Sequence, residues 1–442
     1  MISKITASTV YSVLGNNSSL IPLGIKDVAN SCGLTTASYI AGDKLEGKDR
    51  FIDEFGTQAI WLGGIPAYKK LIDKTLFKYA KLDSEVDPRI FKNNKLAVLA
   101  KEYAPTKEIE QSIIKAVKNQ KQFKSLAMAK FVLSTGLTAI SYFALTKFRH
   151  KYTENQVKKE YIAKHGSLKD YKGVNIPFSS AFEQVHKNKQ VSFTGGIQNF
   201  MFDPVKNMMI LDAVITGERL SHSRNPQDFT GYAIKEGSFW LFMYGAGQMI
   251  ANALEKHAEK KYNKSIDLDA RIIENDTFKQ AFKDNSIKKH LEAFKLADKS
   301  DAEIYKFAVD SKTDNLIIDM AKKSDILPML KTSMFTKSDK IVDTRKYIDL
   351  GNDVSTDFGG LRGLCKKVEK LLNQYEASNE DVDTFFKSVR KLKRGSVLKN
   401  MGACIGALGV IAPAIMLAVR KFGDNTEYQV KKDIEAQLNQ NA

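Results

Sequence analysis

The sequence predicts a mainly α-helical, membrane-associated bundle, built from a tandem duplication with a large polar helical insertion in the second copy. Three observations predict it. The run from Met401 to Val419 carries no charge and is bounded by Lys399 and by Arg420-Lys421. At 1.5 Å rise per residue it covers roughly 28 Å, close to the hydrocarbon thickness of a bilayer. The 442 residues hold only nine prolines, and Lys, Leu, Ala, Ile and Glu recur throughout, a composition that favours helix. Finally, one order of segments occurs twice along the chain.

The elements follow in order. Residues 1–35 read as a polar lead-in, with no apolar run long enough for a cleaved signal peptide. A first repeat, 36–165, begins with a charged segment in which Glu46, Asp49, Asp53 and Glu54 alternate with Lys44, Lys48 and Arg50. Such interleaving is the pattern of solvated ion pairs on a helix face. An apolar helix at about 55–72, bearing Trp61 and Gly63-Gly64, comes next. A polar connector broken at Pro88 and Pro105 leads to a second apolar helix at about 125–147, long enough to span, with Lys130 one turn inside. A lysine so placed can reach the headgroups.

Residues 166–200 read as a linker, with a short strand or turn at 191–196. The second repeat, 201–440, carries apolar helices at about 236–254 and 400–419. Between them lies an inserted helical domain, about 260–395, with breaks at Pro328 and at Asp357–Gly363. Thr153-Glu-Asn-Gln-Val-Lys-Lys-Glu160, after the second apolar helix, matches Thr426-Glu-Tyr-Gln-Val-Lys-Lys-Asp433 after the last one. Gly42-Asp-Lys-Leu45 likewise echoes Gly217-Glu-Arg-Leu220. Matches in the same order at so long a period point to a two-fold pseudo-symmetric body rather than a solenoid.

Within the apolar helices, small residues mark candidate packing positions: Gly402, Gly406 and Gly409 in the last helix, with Gly64, Gly245 and Gly247 at corresponding places in the shorter ones. Glycines four apart let two backbones approach closely in lipid. The helices at 125–147 and 400–419 are thus expected to pack as a pair. Lys147, Arg149, Lys151, Arg420 and Lys421 crowd their exits and are the candidate lipid-headgroup contacts. Gln248 and Asn252 form the candidate polar intramembrane pair.

Lys plus Arg outnumber Asp plus Glu by 68 to 51, a net charge of +17. The basic regions are expected on the cytoplasmic side of a multi-pass protein. The mean hydropathy of −0.30 favours a soluble helical protein instead, although large polar connectors dilute that average. The three scattered cysteines suit a reducing compartment.

Chemistry is sparse. The six histidines form no HxxxH or HExxH pair, and no GxSxG or Cys/His nucleophile arrangement is present. Gly359, Gly360 and Gly363 lack the spacing and lysine of a phosphate loop. Asp349, Asp353 and Asp357 recur every four residues, not at the alternate positions that a calcium loop requires. No catalytic residue, cofactor or metal is therefore expected. The expected partners are a bilayer with anionic lipids and a protein bound by residues 260–395. Three classes of function fit: a membrane scaffold or interaction protein, a small transporter or channel with pseudo-two-fold repeats, or a soluble basic helical protein that binds a partner, with nucleic acid disfavoured for want of a recognition motif.

Overall fold

Among the described residues, six long helices stand side by side and close into a ring. The computed structural model describes residues 7–15, 20–84, 86, 107–166, 204–295, 315–323, 359–423 and 427–440, and among these there is helix and no strand. Helix α1 (Ala7–Gly15) precedes α2 (Leu20–Ala41). The second wall is α3 (Lys44–Ala59), the π-helical segment π1 (Ile60–Gly64), α4 (Ile65–Ile72) and π2 (Asp73–Phe77) in one rod. Helix α5 (Lys107–Lys118) leads into α6 (Gln120–His165). Next come α7 (Pro204–Ser221) and, as one rod, α8 (Pro226–Trp240), π3 (Leu241–Gly245) and α9 (Ala246–Tyr262).

The chain then builds the short helices α10 (Ala270–Ile273), α11 (Asp276–Lys283), α12 (Ser286–Lys295), α13 (Leu316–Lys323) and α14 (Gly359–Glu376). It re-enters the ring with α15 (Val382–Gly406), π4 (Ala407–Ile411) and α16 (Ala412–Phe422), and ends in α17 (Gln429–Gln440).

Local chemistry explains the boundaries. Asp43 caps α3, its carboxylate accepting from the Leu45 and Glu46 amides at 2.9 Å. Asn225 caps α8 through the Asp228 amide, with Pro226 at the first helical position, where a missing N–H costs nothing. Asn263 ends α9 in the left-handed conformation, φ 50°.

Around the ring, α6 packs on α3, α3 on α2, α2 on π4 and α16, α16 on α8, α8 on α7, and α7 back on α6. Pairings along α3 and α6 fix their antiparallel run: Phe77 meets Phe123, Tyr68 bonds Ser141, Asp49 bonds Thr153, and Leu45 clusters with Val157. By the same reckoning α2, α6, α7 and α15–α16 all run toward one face of the ring, while the α3 and α8 rods run away from it. That face, the near face, carries the α2–α3 and α7–α8 turns, the ends of α6 and α16, and α17.

The small helices at the far face have their own core. Phe278, Phe282, Phe385 and Phe386 are buried there with Leu371 and Ile317, and the Phe282 and Phe386 rings meet edge-on at 5.0 Å.

Several expectations change. Residues 20–35, read as polar lead-in, belong to α2, a wall of the ring, because their polar side chains Asn30, Ser31 and Thr35 turn inward. The helices at 125–147 and 400–419 do not form a pair: α6 packs chiefly on the α3 rod, α7 and α17, and α15–α16 on α2, α8 and α9. The first Gln-Val-Lys-Lys segment continues α6 without a break, whereas the second opens the separate helix α17. The linker, the strand at 191–196, Pro328, His186 and the aspartates at 349, 353 and 357 lie outside the described residues.

Candidate functional site: the interior of the ring

The near half of the ring is filled with charge. Helix α3 contributes a stripe at helical spacing: Glu46, Asp49, Arg50, Asp53 and Glu54 are all buried, with Thr57 one turn on. Their expected place was in water; the structure turns them inward and leaves Lys44 and Lys48 outside. Each buried carboxylate meets a cation from another wall or its own. Asp53 lies 3.0 Å from Arg149, 3.3 Å from Arg219 and 3.8 Å from Arg50. Asp49 pairs with Arg224 at 2.9 Å and accepts the Thr153 hydroxyl at 2.6 Å. Glu54 takes Lys235 at 2.8 Å, Glu236 takes Arg219 at 2.7 Å, Asp228 takes Arg224 at 2.7 Å, and Glu46 takes Arg420 at 2.5 Å. Tyr232, 1% exposed, sits among them, with its hydroxyl accepting from Arg149 and with the Arg50 guanidinium 4.9 Å from its ring centroid.

Glu46, Asp49, Asp53, Glu54, Asp228 and Glu236 pair with Arg50, Arg149, Arg219, Arg224, Lys235 and Arg420, while among the described residues buried Glu218 meets only the His222 ring, at 3.9 Å, and buried Lys26 has no hydrogen-bond partner on its Nζ. A buried ion costs several kcal/mol unless paired and hydrogen-bonded, so these pairings let so polar an interior exist.

Farther from the near face the network thins into a cavity of about 20 Å³, lined among others by Asp27, Glu54, Trp61, Asp212, Lys235 and Glu236. That volume admits about one water. Asp27 Oδ2 accepts the Trp61 indole N–H at 2.9 Å, and Asp212 accepts the Tyr244 hydroxyl. Trp61 and Tyr244 stand in π1 and π3, in corresponding walls. Ser31 receives the Gln58 amide at 2.7 Å, and Thr216 receives the Trp240 indole at 3.0 Å. Among the described residues, no group of three His, Cys, Asp or Glu side chains is placed to hold a metal ion.

The outer surface is the reverse of the interior. Along 20–41, 51–68, 131–146, 208–220, 229–254 and 400–419, no Asp, Glu, Lys or Arg is exposed. Large apolar side chains are exposed there instead, including Ile40 at 69%, Met249 at 68% and Val410 at 67%. Helix α6 and the α15–α16 rod are long and apolar enough to cross a membrane, and only 28% and 33% of their most apolar stretches are buried. Exposed lysines edge this belt: Lys44, Lys48, Lys147, Lys151 and Lys421 toward the near face, Lys70, Lys74, Lys124 and Lys399 toward the far one.

The sequence candidates distribute unevenly over this geometry. Of the headgroup set, Lys147, Lys151 and Lys421 are exposed, but Arg149 and Arg420 turn inward as members of the ionic network. Gln248 and Asn252 bond to each other at 2.8 Å and are exposed on the outer face, not toward the interior. A Cβ added at Gly402, Gly406 or Gly245 would meet nothing within 4 Å, and at Gly64 only its own rod; Gly247 is buried. The close approach of backbones falls at Gly409 and Gly33: a Cβ on Gly33 would stand 2.2 Å from the Gly409 carbonyl oxygen. Lys130 ion-pairs with Asp73 at 2.5 Å. His150 is buried beside Arg149.

Asp27, Asp212, Arg219, Lys235 and Glu236 were not singled out in the sequence. Their signal was position: each is a lone charge, or an adjacent pair, inside an otherwise apolar stretch, and such residues mark interiors. No family model matches the chain, and none of the curated proteins or solved structures matches it.

Proposed function

We propose that the protein is a membrane-embedded scaffold. Its six-helix ring faces lipid, and the small helical domain at the far face is held at the membrane surface to engage a protein partner. One observation carries the reading: the ring is inside out, with its charges buried and a belt free of exposed charge around it. Residues 51–68 give the belt a height of roughly 27 Å, close to the hydrocarbon core. In water an uninterrupted apolar belt of this extent is rare. A tandem duplication accounts for the repeated order of walls, since Asp27–Trp61 answers Asp212–Tyr244 and Ser31–Gln58 answers Thr216–Trp240. Corresponding helices run in the same sense, which makes the repeats parallel, about an axis along the ring.

A second reading follows from the return path. Helix α6 ends at the near face and α7 begins toward the far one, with residues 167–203 between them in sequence. They include Lys169, Asp170, Lys172, Glu183, Lys187 and Lys189, and no apolar run long enough to cross. That favours a body that does not span, with its belt covered by protein. Alkaline carbonate extraction separates the two readings: the scaffold stays in the membrane pellet, and release into the wash would overturn it. Pull-down with the full chain, against one whose far-face core carries Phe386→Asp, then tests the partner; equal capture by both would remove the docking role.

A further inference from the structure

The charge pairing of the interior is incomplete. Besides Glu218 and Lys26, Asp27 and Asp212 form no ion pair among the described residues, and these two come together at one cavity. Asp27 is 8% exposed, and each has only one neutral donor on its carboxylate, an indole for Asp27 and a phenol for Asp212. Both line the cavity, and so does Glu54, whose Oε1 is buried without a hydrogen-bond partner. That oxygen lies 3.7 Å from the Arg50 guanidinium, beyond hydrogen-bond reach. The cavity therefore joins two uncompensated carboxyl groups, an orphaned carboxylate oxygen and space for one water-sized body. Lys235 and Arg219 also face it, but both are committed to Glu54, Glu236 and Asp53.

We propose that this cavity is a binding site for a small monovalent cation, an alkali metal ion or hydronium, held between Asp27 and Asp212. Taking the two carboxyls out of water uncompensated would cost several kcal/mol each, and a cation held between them offsets part of that cost. Two carboxyls beside Lys235 and Arg219, around a space for one water, leave a small net negative charge that suits a singly charged ion. Trp61 of π1 and Tyr244 of π3 hold the two carboxyls, so occupancy involves both rods of the ring. The site is enclosed by the ring itself and does not depend on what covers the outer belt.

Trp61 lines the cavity and Trp240 bonds Thr216 nearby, and these are the only two tryptophans in the chain. Intrinsic fluorescence of the purified full chain thus reports on the site. One arm exchanges sodium for choline at fixed pH and ionic strength; the other lowers pH in choline without alkali metal. A saturable change is expected in at least one arm, the sodium arm identifying an alkali ion and the acid arm hydronium. Asp27→Asn with Asp212→Asn should weaken it at least ten-fold. These variants keep the oxygens that accept from Trp61 and Tyr244. If the double variant lacks wild-type circular dichroism, each single variant is read alone. No saturable change in either arm, or a response unaltered by the substitutions, overturns the proposal.

Discussion

Removing the Asp53 carboxylate should cost more than any other single change in the ring. Asp53 is 1% exposed and holds three guanidiniums, Arg149, Arg219 and Arg50, at 3.0, 3.3 and 3.8 Å. Asp53→Leu keeps the branched shape of the side chain but leaves Arg149, Arg219 and Arg50 without their shared carboxylate. Breaking a buried pair on one side costs about 3–5 kcal/mol. Against a typical total of about 5–15 kcal/mol, that is a large fraction of the stability. At roughly 2 °C per kcal/mol for a chain of this size, the melting midpoint should fall by about 6–10 °C. The assay is thermal unfolding followed by tryptophan fluorescence, beside Arg149→Met and the double variant. Removing both charges leaves the net charge unchanged, so Asp53→Leu/Arg149→Met should be more stable than the sum of the single losses predicts, by about 2 kcal/mol. A single-variant loss below about 1 kcal/mol, or strict additivity in the double, would refute a network held by charge pairing.

Further outcomes follow from other contacts. Gly33→Val should disrupt the α2–π4 crossing, because even a Cβ there stands 2.2 Å from the Gly409 carbonyl oxygen; Gly402→Ala and Gly406→Ala should be neutral or slightly stabilising by up to about 1 kcal/mol, read by the same melts. Asp43→Ala should lose about 1 kcal/mol through the α3 cap, while Asp43→Asn keeps most of it. In the far-face domain, Lys279 and Lys283 hold the Asp383 carboxyl down to about 2. Its contribution is thus present above about pH 4, the unfolded value, and is lost as pH falls toward 2. Circular dichroism of wild type and Asp383→Asn should differ at pH 5 and converge near pH 2. Gln248→Leu should leave folding unchanged and raise membrane retention, since the pair it breaks lies on the outer face.

Much of this architecture was legible from residue order. The uncharged run 401–419, the apolar helix at 125–147 and the twice-used Gln-Val-Lys-Lys exit all correspond to helices. The interior was not, and the reason is physical. Glu46, Asp49, Asp53 and Glu54 share a sequence with Lys44 and Lys48, and periodicity alone gives the same reading for a stripe of charge whether water or another ionic wall faces it. Only the partners decide, and Arg149, Arg219, Lys235 and Arg420 come from four other segments. The small residues misdirected for a related cause. Gly402 and Gly406 have the spacing of a close-packed pair, but contact also needs a facing helix without side-chain bulk. Gly33 provides that opposite Gly409, across most of the chain length.

Spin labels placed one at a time on a cysteine-free chain in lipid vesicles show whether lipid surrounds the ring, as the relative access of oxygen and of a water-soluble nickel chelate to each label. In a ring embedded in lipid, labels at Ile40, Ile140, Met249 and Val410 favour oxygen, while those at Lys48 and Lys70, on the two rims, favour nickel. Nickel access at all six positions would contradict a ring embedded in lipid.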